Sequence, residues 1–288
     1  MKSHAQRKHR HRRLLIDLAV LTAIGLVGIA TASDVRAETD DDDAEAPTGS
    51  TFLGRGTSIE LGAGALVGPA YDGAKKDKVT PYPFIKVEGL LYDHVSITTT
   101  RGIAANLLPR GPLEAGISLG YDGGRAASDD PRLRGLSDIS TAIAPGAFIG
   151  YRFRSFSFDL DVKDRLGNDH GAEATLGARY TFNPIPKLRL SVGPSVTFAD
   201  RQYNQTFFGV TETEATRATA LGNSLRAYKA NAGAKDAGLS MTAFYKLSDH
   251  WSLAGAASLK ELLGKDAQSP LTQHRFQPEV GLGVLYKF

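Results

Sequence analysis

The stretch that closes the chain, Gln277–Phe288, constrains the fold more than any other part of the sequence. Side chains of a β-strand point to opposite faces with a period of two, so its alternation predicts a strand with one apolar and one polar face. Soluble sandwiches alternate too, but a Gly-rich final strand of about ten residues with an aromatic end is more typical of an outer-membrane barrel. Only Leu285 breaks the pattern. The apolar row is Pro278, Val280, Leu282, Val284, Tyr286 and Phe288, and the polar row is Gln277, Glu279, Gly281, Gly283 and Lys287.

The amino terminus resembles a secretory signal. A basic segment is followed by an apolar run from Leu18 to Ala30, which is shorter than the roughly 20 residues that span a bilayer. The small-x-small sequence Val35-Arg36-Ala37 then precedes Glu38, which predicts a signal peptide over residues 1–37 with cleavage after Ala37.

Removing this segment changes the charge balance. Of 34 Lys/Arg and 31 Asp/Glu, seven and two lie in residues 1–37, which leaves 27 and 29 and a net charge of −2. The sequence pI of 9.0 therefore does not indicate a nucleic-acid partner. Residues 38–55 are acidic and poor in apolar residues, so we expect a disordered leader there, followed by the barrel over 56–288.

Three successive segments in the middle of the chain carry charges on the face opposite their apolar row. Such rows suit a barrel whose lumen is lined by compensating charges, although the wet face of a soluble sandwich would look the same. The candidate lumen-lining residues are Asp159, Asp161, Lys163, Glu173, Arg179 and Arg189.

The lengths of the connections favour the barrel. Short and long connections alternate along the chain, which is the pattern of periplasmic turns and external loops. The short ones are 152–155, 183–187 and 248–250, and the long ones are 122–138, 200–237 and 260–276. The alternation marks about eleven strands, but bacterial single-chain barrels have an even number, so we expect about 12, with 10 as the alternative. The weak region Tyr92–Pro109 is where the miscounted strand should lie.

Short motifs spread over nearly the whole mature chain carry a family resemblance. They are Pro69–Gly73, Pro81–Pro83, Gly124-Arg125, Asp129-Asp130, Leu133–Asp138, Gly193–Ser195, Ala199-Asp200, Tyr203, Phe207–Val210, Tyr228, Ala232-Gly233, Trp251, Leu262–Gly264, Asp266-Ala267 and Ser269-Pro270. In this order and spacing they resemble the MipA/OmpV family of outer-membrane proteins. The chain departs from the family pattern at Gly167–Gly171 and at Leu221–Leu225, both in external loops.

The resemblance implies an outer-membrane barrel that serves cell-envelope assembly or permeability. One branch of the family implies a scaffold beside a murein lytic transglycosylase or synthase. It also implies contact with outer-membrane lipid and with the barrel-insertion machinery, which would read Tyr286 and Phe288 as the insertion signal.

Few residues are candidates for catalysis or metal binding. His94-Val95-Ser96 has a His-x-Ser spacing seen in some lipid-trimming barrels, but it lies at a predicted periplasmic turn with no acidic partner shortly after it. His170, flanked by Asp164 and Asp169, offers too few ligands for a metal site. The acidic pair Asp129-Asp130 reads as a loop of exposed ion pairs, or as a loop that packs against 203–209 to close the barrel mouth.

We therefore predict no catalytic, cofactor-binding or metal-binding residues, and a protein that is not an enzyme. An envelope scaffold for peptidoglycan-remodelling enzymes is the leading interpretation. A narrow or gated pore for small solutes is the alternative, and a lipid hydrolase is the third.

Overall fold

The computed structural model describes residues 53–167 and 171–288 and is a closed antiparallel barrel. Each strand pairs with its neighbours in the chain, and β1 pairs with β12 to close the ring. This confirms the predicted fold class and the favoured count of 12 strands. The predicted signal peptide lies outside the described residues. The strands are β1 Leu53–Pro69, β2 Asp77–Leu90, β3 Val95–Thr98, β4 Gly102–Asn106, β5 Leu113–Asp122, β6 Ala142–Phe153, β7 Phe156–Arg165, β8 Gly171–Ile185, β9 Leu188–Ala199, β10 Gly233–Lys246, β11 Trp251–Leu262 and β12 Phe276–Lys287.

The region Tyr92–Pro109 holds two short strands, β3 and β4, where the sequence pattern marked one. β4 has only five residues, and its adjacent Ala104 and Ala105 give no period-two signal. Counting it restores the even number of strands. Both ends of the barrel chain then lie on the side of the short turns, which we take as periplasmic.

The apolar rows face outward and the polar rows face the lumen. Ile117 is 59% exposed and Leu282 is 78% exposed, as expected for side chains that contact lipid. Leu285, which breaks the alternation of β12, is only 3% exposed, and its side chain lies over Gly62 of β1. A residue with a Cβ at position 62 would collide with it, so the glycine makes room for this one inward-facing leucine.

Aromatic side chains form contacts near the periplasmic ends of the strands. The rings of Trp251 and Tyr286 lie 4.9 Å apart, and Tyr286 also contacts Phe288 at 4.9 Å. Around the barrel, Phe156 and Tyr180 lie 5.0 Å apart. This arrangement matches the aromatic girdle that marks a membrane interface. The role of Tyr286 and Phe288 as an insertion signal stays a prediction.

The long connections at the external end contain short helices. Helix α1 (Arg201–Phe208) begins after Asp200, whose carboxylate accepts a hydrogen bond from the Tyr203 N–H at 2.7 Å. Helix α2 (Glu212–Ala220) begins with a capping box between Thr211 and Glu214. Such caps satisfy backbone N–H groups that the first turn leaves unpaired. No helix in the described ranges is long and apolar enough to cross a membrane.

Candidate functional site: a capped and charge-paired lumen

The external loops fold together over the mouth of the barrel. We call this structure the cap and define it as residues 70–76, 123–141, 200–232 and 263–275. Two clusters of buried apolar side chains hold it together, with Phe208 and Leu271 fully buried. The first cluster is Tyr71, Ala74, Leu133, Leu136, Val210, Ala218, Leu225 and Leu271, and the second is Ile139, Ala199, Tyr203, Phe207, Phe208, Ala230 and Leu262.

Hydrogen bonds between loops fix the cap. The Arg125 guanidinium donates to the carbonyl oxygen of Phe207 at 2.6 Å, and the Tyr71 hydroxyl donates to that of Leu271 at 2.9 Å. Burial raises the pKa of the Tyr71 phenol, so the phenol stays a neutral donor. The contact between Arg125 and Phe207 confirms that the loop of Asp129-Asp130 packs with the segment 203–209 at the barrel mouth. Many of the motifs that carried the family resemblance lie in this cap.

One glycine lets the second cap helix approach the loop after β5. Gly135 has φ +94°, a left-handed conformation that favours glycine, and an added Cβ would overlap the backbone of Ala218. The Arg217 Nε donates to the Gly135 carbonyl oxygen at 2.7 Å. Because Gly135 has no side chain, α2 can pack directly against the loop after β5.

Below the cap lies a central cavity of about 310 Å³. Five of the six predicted lumen-lining residues border it: Asp159, Asp161, Lys163, Glu173 and Arg179. The sixth, Arg189, lies further down the barrel, where it pairs in register with Phe244 near the periplasmic turns. Most of the cavity charges form ion pairs with other charged side chains.

The ion pairs join strands that are not neighbours as well as adjacent ones. Arg101 binds Asp161 through two hydrogen bonds, at 3.0 and 3.1 Å, and its guanidinium lies 4.2 Å from the centre of the Phe148 ring. Arg179 lies 3.3 Å from Asp159. The sequence pattern missed Arg101 because it lies in the turn between β3 and β4, where no alternation marks a lumen face. These pairs narrow the lumen at mid-height.

A fully buried cation lies where the cavity meets the cap. The Lys235 ammonium is 3.0 Å from Glu173 and 3.6 Å from Asp236, and it lies 5.1 Å from the centre of the Tyr203 ring. Nearby, the buried Arg165 guanidinium pairs with Asp122 at 2.9 Å. Lys235 is 0% exposed, so its charge depends on these partners for stabilisation. The sequence did not predict this buried lysine. Lys235 comes directly after a long loop, and because the adjacent Asp236 is also buried, no alternation marks Lys235 as inward-facing.

The cap contains a buried acid, Asp266, that is 1% exposed. Burial raises the pKa of its carboxyl from 3.8 to about 7, while Lys235 lowers it and Asp72 and Asp236 raise it further. Between about pH 4 and pH 7 the folded protein keeps a proton that the unfolded chain releases. The contribution of Asp266 to stability therefore falls as the pH rises through this window and is constant above it.

We expect the loop 263–275 to open more readily at about pH 8 than at about pH 5, because these two values lie on either side of the pKa of Asp266 in the folded protein. Asp266→Asn should flatten this dependence, because its amide does not ionise. Hydrogen exchange of the loop at several pH values measures the effect. Asp249→Asn, at an exposed periplasmic turn, serves as the control. An unchanged pH dependence in Asp266→Asn would contradict the assignment.

The structure describes one of the two histidines that were considered for catalysis or metal binding. His94 is exposed at a periplasmic turn, and its Nδ1 lies 2.8 Å from the carbonyl oxygen of Asn106, the last residue of β4. This contact joins the turn to the end of β4 and gives the ring a structural role. His170 lies outside the described residues. No cluster of metal-binding side chains occurs within the described ranges.

Comparison with solved structures finds barrels of the outer membrane with little sequence similarity. The porin NanC has a TM-score of 0.38 and 7% identity, over 81% of this chain and 100% of its own. OmpT of Vibrio cholerae has a TM-score of 0.36 and 9% identity, over 83% and 100%. Neisserial surface protein A has a TM-score of 0.27 and 12% identity, over 81% and 97%. No curated protein sequence matches the chain.

The family comparison covers most of the chain. The family described as MltA-interacting protein MipA matches residues 61–288, which include all twelve strands except the beginning of β1. The closed barrel with lipid-facing apolar rows agrees with an outer-membrane location. The chain therefore belongs to the MipA family and is an outer-membrane β-barrel.

Proposed function

We propose that this protein is a scaffold that holds a peptidoglycan-remodelling enzyme of the murein lytic transglycosylase class at the periplasmic face of the outer membrane. The description of its family, an MltA-interacting protein, carries the proposal. The cap and the paired lumen charges support it, because both narrow the path that a freely permeable porin would need.

An apolar surface on the periplasmic side offers a place for the partner. We define the periplasmic patch as Leu91, Tyr92, Leu107 and Leu108, which are 43%, 72%, 66% and 42% exposed. They lie on two adjacent turns, joined by the hydrogen bond from the Asn106 N–H to the His94 carbonyl oxygen at 2.7 Å. Exposed apolar groups on neighbouring turns are typical of a protein interface.

The backbone of this patch is held in an uncommon conformation. Leu91, Tyr92 and Asp93 have φ values of 49°, 60° and 69°, all in the left-handed region that side chains with a Cβ rarely adopt. Each such residue costs on the order of 1 kcal/mol, and such residues cluster at functional sites. A specific interface needs roughly 800 Å² per partner, so the part of the predicted leader that precedes β1 would have to extend the contact.

The periplasmic patch can be tested with one double variant. In Leu107→Asp/Leu108→Asp, the recovery of lytic transglycosylase after cross-linking in cells should fall by about tenfold, since two apolar contacts are replaced by charges. The matched control is Leu221→Asp, because Leu221 is 51% exposed but lies in the external cap. Heat-modifiable gel migration verifies that each barrel is folded. Equal recovery from both variants would argue against the scaffold.

A narrow or gated pore is the second candidate, and the central cavity of about 310 Å³ favours it. In this proposal the charged rows that contain Asp159, Asp161 and Arg179 restrict passage to small solutes. A lumen of twelve strands is already narrower than that of a porin with about 16 strands. The cap would then act as the gate.

A further inference from the structure

The barrel wall is incomplete on one side in its external half. β2 begins at Asp77, but its register with β3 begins only at the pair Lys86 and Thr98. On the other side, the register of β5 with β4 ends at the pair Leu119 and Ile103. Above these levels no strand of the described residues lies between β2 and β5. Strand pairing around the barrel is therefore interrupted above the tip of the β3–β4 hairpin, and we call this interruption the lateral opening.

The backbone of β2 is adapted to this opening. Thr99 accepts a hydrogen bond from the Ile85 N–H at 2.8 Å and donates one to the Pro83 carbonyl oxygen at 3.1 Å, so the backbone groups of these two residues point away from β1. Backbone direction alternates along a strand, so Pro81 points the same way, into the opening. Proline has no N–H, and an unpaired N–H in the apolar part of a membrane would cost several kcal/mol.

The lateral opening is bounded by an ion pair at its top and by close backbone packing at its bottom. At the top, the Lys78 ammonium binds Asp129 of the cap at 2.9 Å. At the bottom, Gly102 and Gly120 allow the hairpin tip and β5 to pack closely, since an added Cβ at either would meet backbone atoms of the other segment. The lateral opening is thus bordered by residues 78–82, 99–102 and 120–122.

The lateral opening leads to the central cavity. Thr80, Tyr82, Thr100 and Tyr121 border both the opening and the cavity. On the outer side, Val79 is 65% exposed at a height where the flanking strands face lipid. The cap covers the axial mouth, so this side route connects the cavity with the external half of the membrane.

The cavity presents a cation at the height of the opening. Lys163 makes no hydrogen bond or close ion pair within the described part of the chain, and the acids near it, Asp122 and Glu173, pair with Arg165 and Lys235. The Lys163 ammonium is partly buried, and because it has no close ion-pair partner among the described residues it attracts an anionic group.

We propose that the lateral opening is a port for a single-chain amphiphile with an anionic head group, which places its head near Lys163 and leaves its apolar chain in the external leaflet. The cavity lies at the small end of the range for ligand sites, about 300–1,000 Å³, which suits one head group with the start of one chain. The hydroxyl groups of Thr80, Tyr82 and Thr100 supply further hydrogen bonds.

Tryptophan quenching tests the port, because the chain has one Trp, Trp251, in the periplasmic girdle. In a Trp251→Phe background, Tyr82→Trp places the probe at the opening, Ser240→Trp on another wall of the cavity, and Val79→Trp on the lipid face. The folded barrels, in vesicles of unbrominated phosphatidylcholine, are titrated with stearate brominated in mid-chain. We expect quenching at positions 82 and 79 and little at 240. If Tyr82→Trp does not fold, Thr80→Trp replaces it.

The role of Lys163 is tested in the Tyr82→Trp protein. Lys163→Met should weaken stearate binding by about tenfold, equivalent to about 1.4 kcal/mol. Lys246→Met, at the exposed end of β10, should leave stearate binding unchanged. Three outcomes would each overturn the proposal. They are quenching at position 79 without quenching at position 82, equal quenching at positions 82 and 240, and no effect of Lys163→Met on stearate binding. Equally strong quenching of position 82 by vesicles of brominated phosphatidylcholine alone would overturn the choice of a single-chain anion.

Discussion

Replacing Lys235 by Met is expected to destabilise the folded barrel by about 3–5 kcal/mol, because it leaves the buried Glu173 and Asp236 without their cation. Lys235 is 0% exposed and lies 3.0 Å from Glu173, so water cannot take the place of the lost ammonium without opening the cap. Urea unfolding of the protein in vesicles, followed by Trp251 fluorescence, measures the change in the free energy of unfolding.

Comparing Lys235→Met with Lys246→Met separates the effect of breaking a buried ion pair from the effect of losing any lysine. Lys246 forms an ion pair with Asp249 at an exposed turn, and Lys246→Met should change stability by less than about 1 kcal/mol. Adding Glu173→Gln to Lys235→Met should recover part of the loss, because one unpaired buried anion is then removed. Equal and small losses in the two lysine variants would contradict a buried ion-pair cluster.

Removing the first cap helix is expected to open the lumen. α1 buries four of its residues against the barrel mouth, including Tyr203 and Phe208, and it receives the Arg125 hydrogen bond. Replacing residues 201–209 by a Gly-Ser linker should therefore change planar-bilayer recordings from background to discrete current steps. The steps should be smaller than those of porins with about 16 strands, because the paired charges below the cap remain.

The second cap helix provides the control for this deletion. α2 buries only Ala218 among its residues, so replacing 212–220 by the same linker should leave the mouth closed. Heat-modifiable migration shows that both variants are folded. If neither variant conducts, the second candidate function, a gated pore, is wrong. Conductance in the unmodified protein would instead show that the cap does not close the lumen.

Sequence alternation accounts for the barrel because membrane strands must separate lipid-facing from lumen-facing side chains at every second residue. The rows of β7 and β8 illustrate this, since Phe158 and Leu176 face outward while Asp159 and Arg179 meet in the lumen. The same logic failed for β4, which is too short and too rich in alanine to alternate. Loop lengths and the parity of the strand count corrected the number without locating β4.

The sequence alone determined the outer-membrane barrel, its charged lumen face and the end at which the long loops lie, because these follow from local periodicity and turn length. Only the tertiary structure decided how the cap closes, which charges pair and where the wall is open. Arg101 and Asp161 are far apart in the chain, and their contact depends on the register of several strands. Gln277–Phe288 shows both levels: its alternation is local, whereas the inward position of Leu285 depends on Gly62 of β1 across the closing seam.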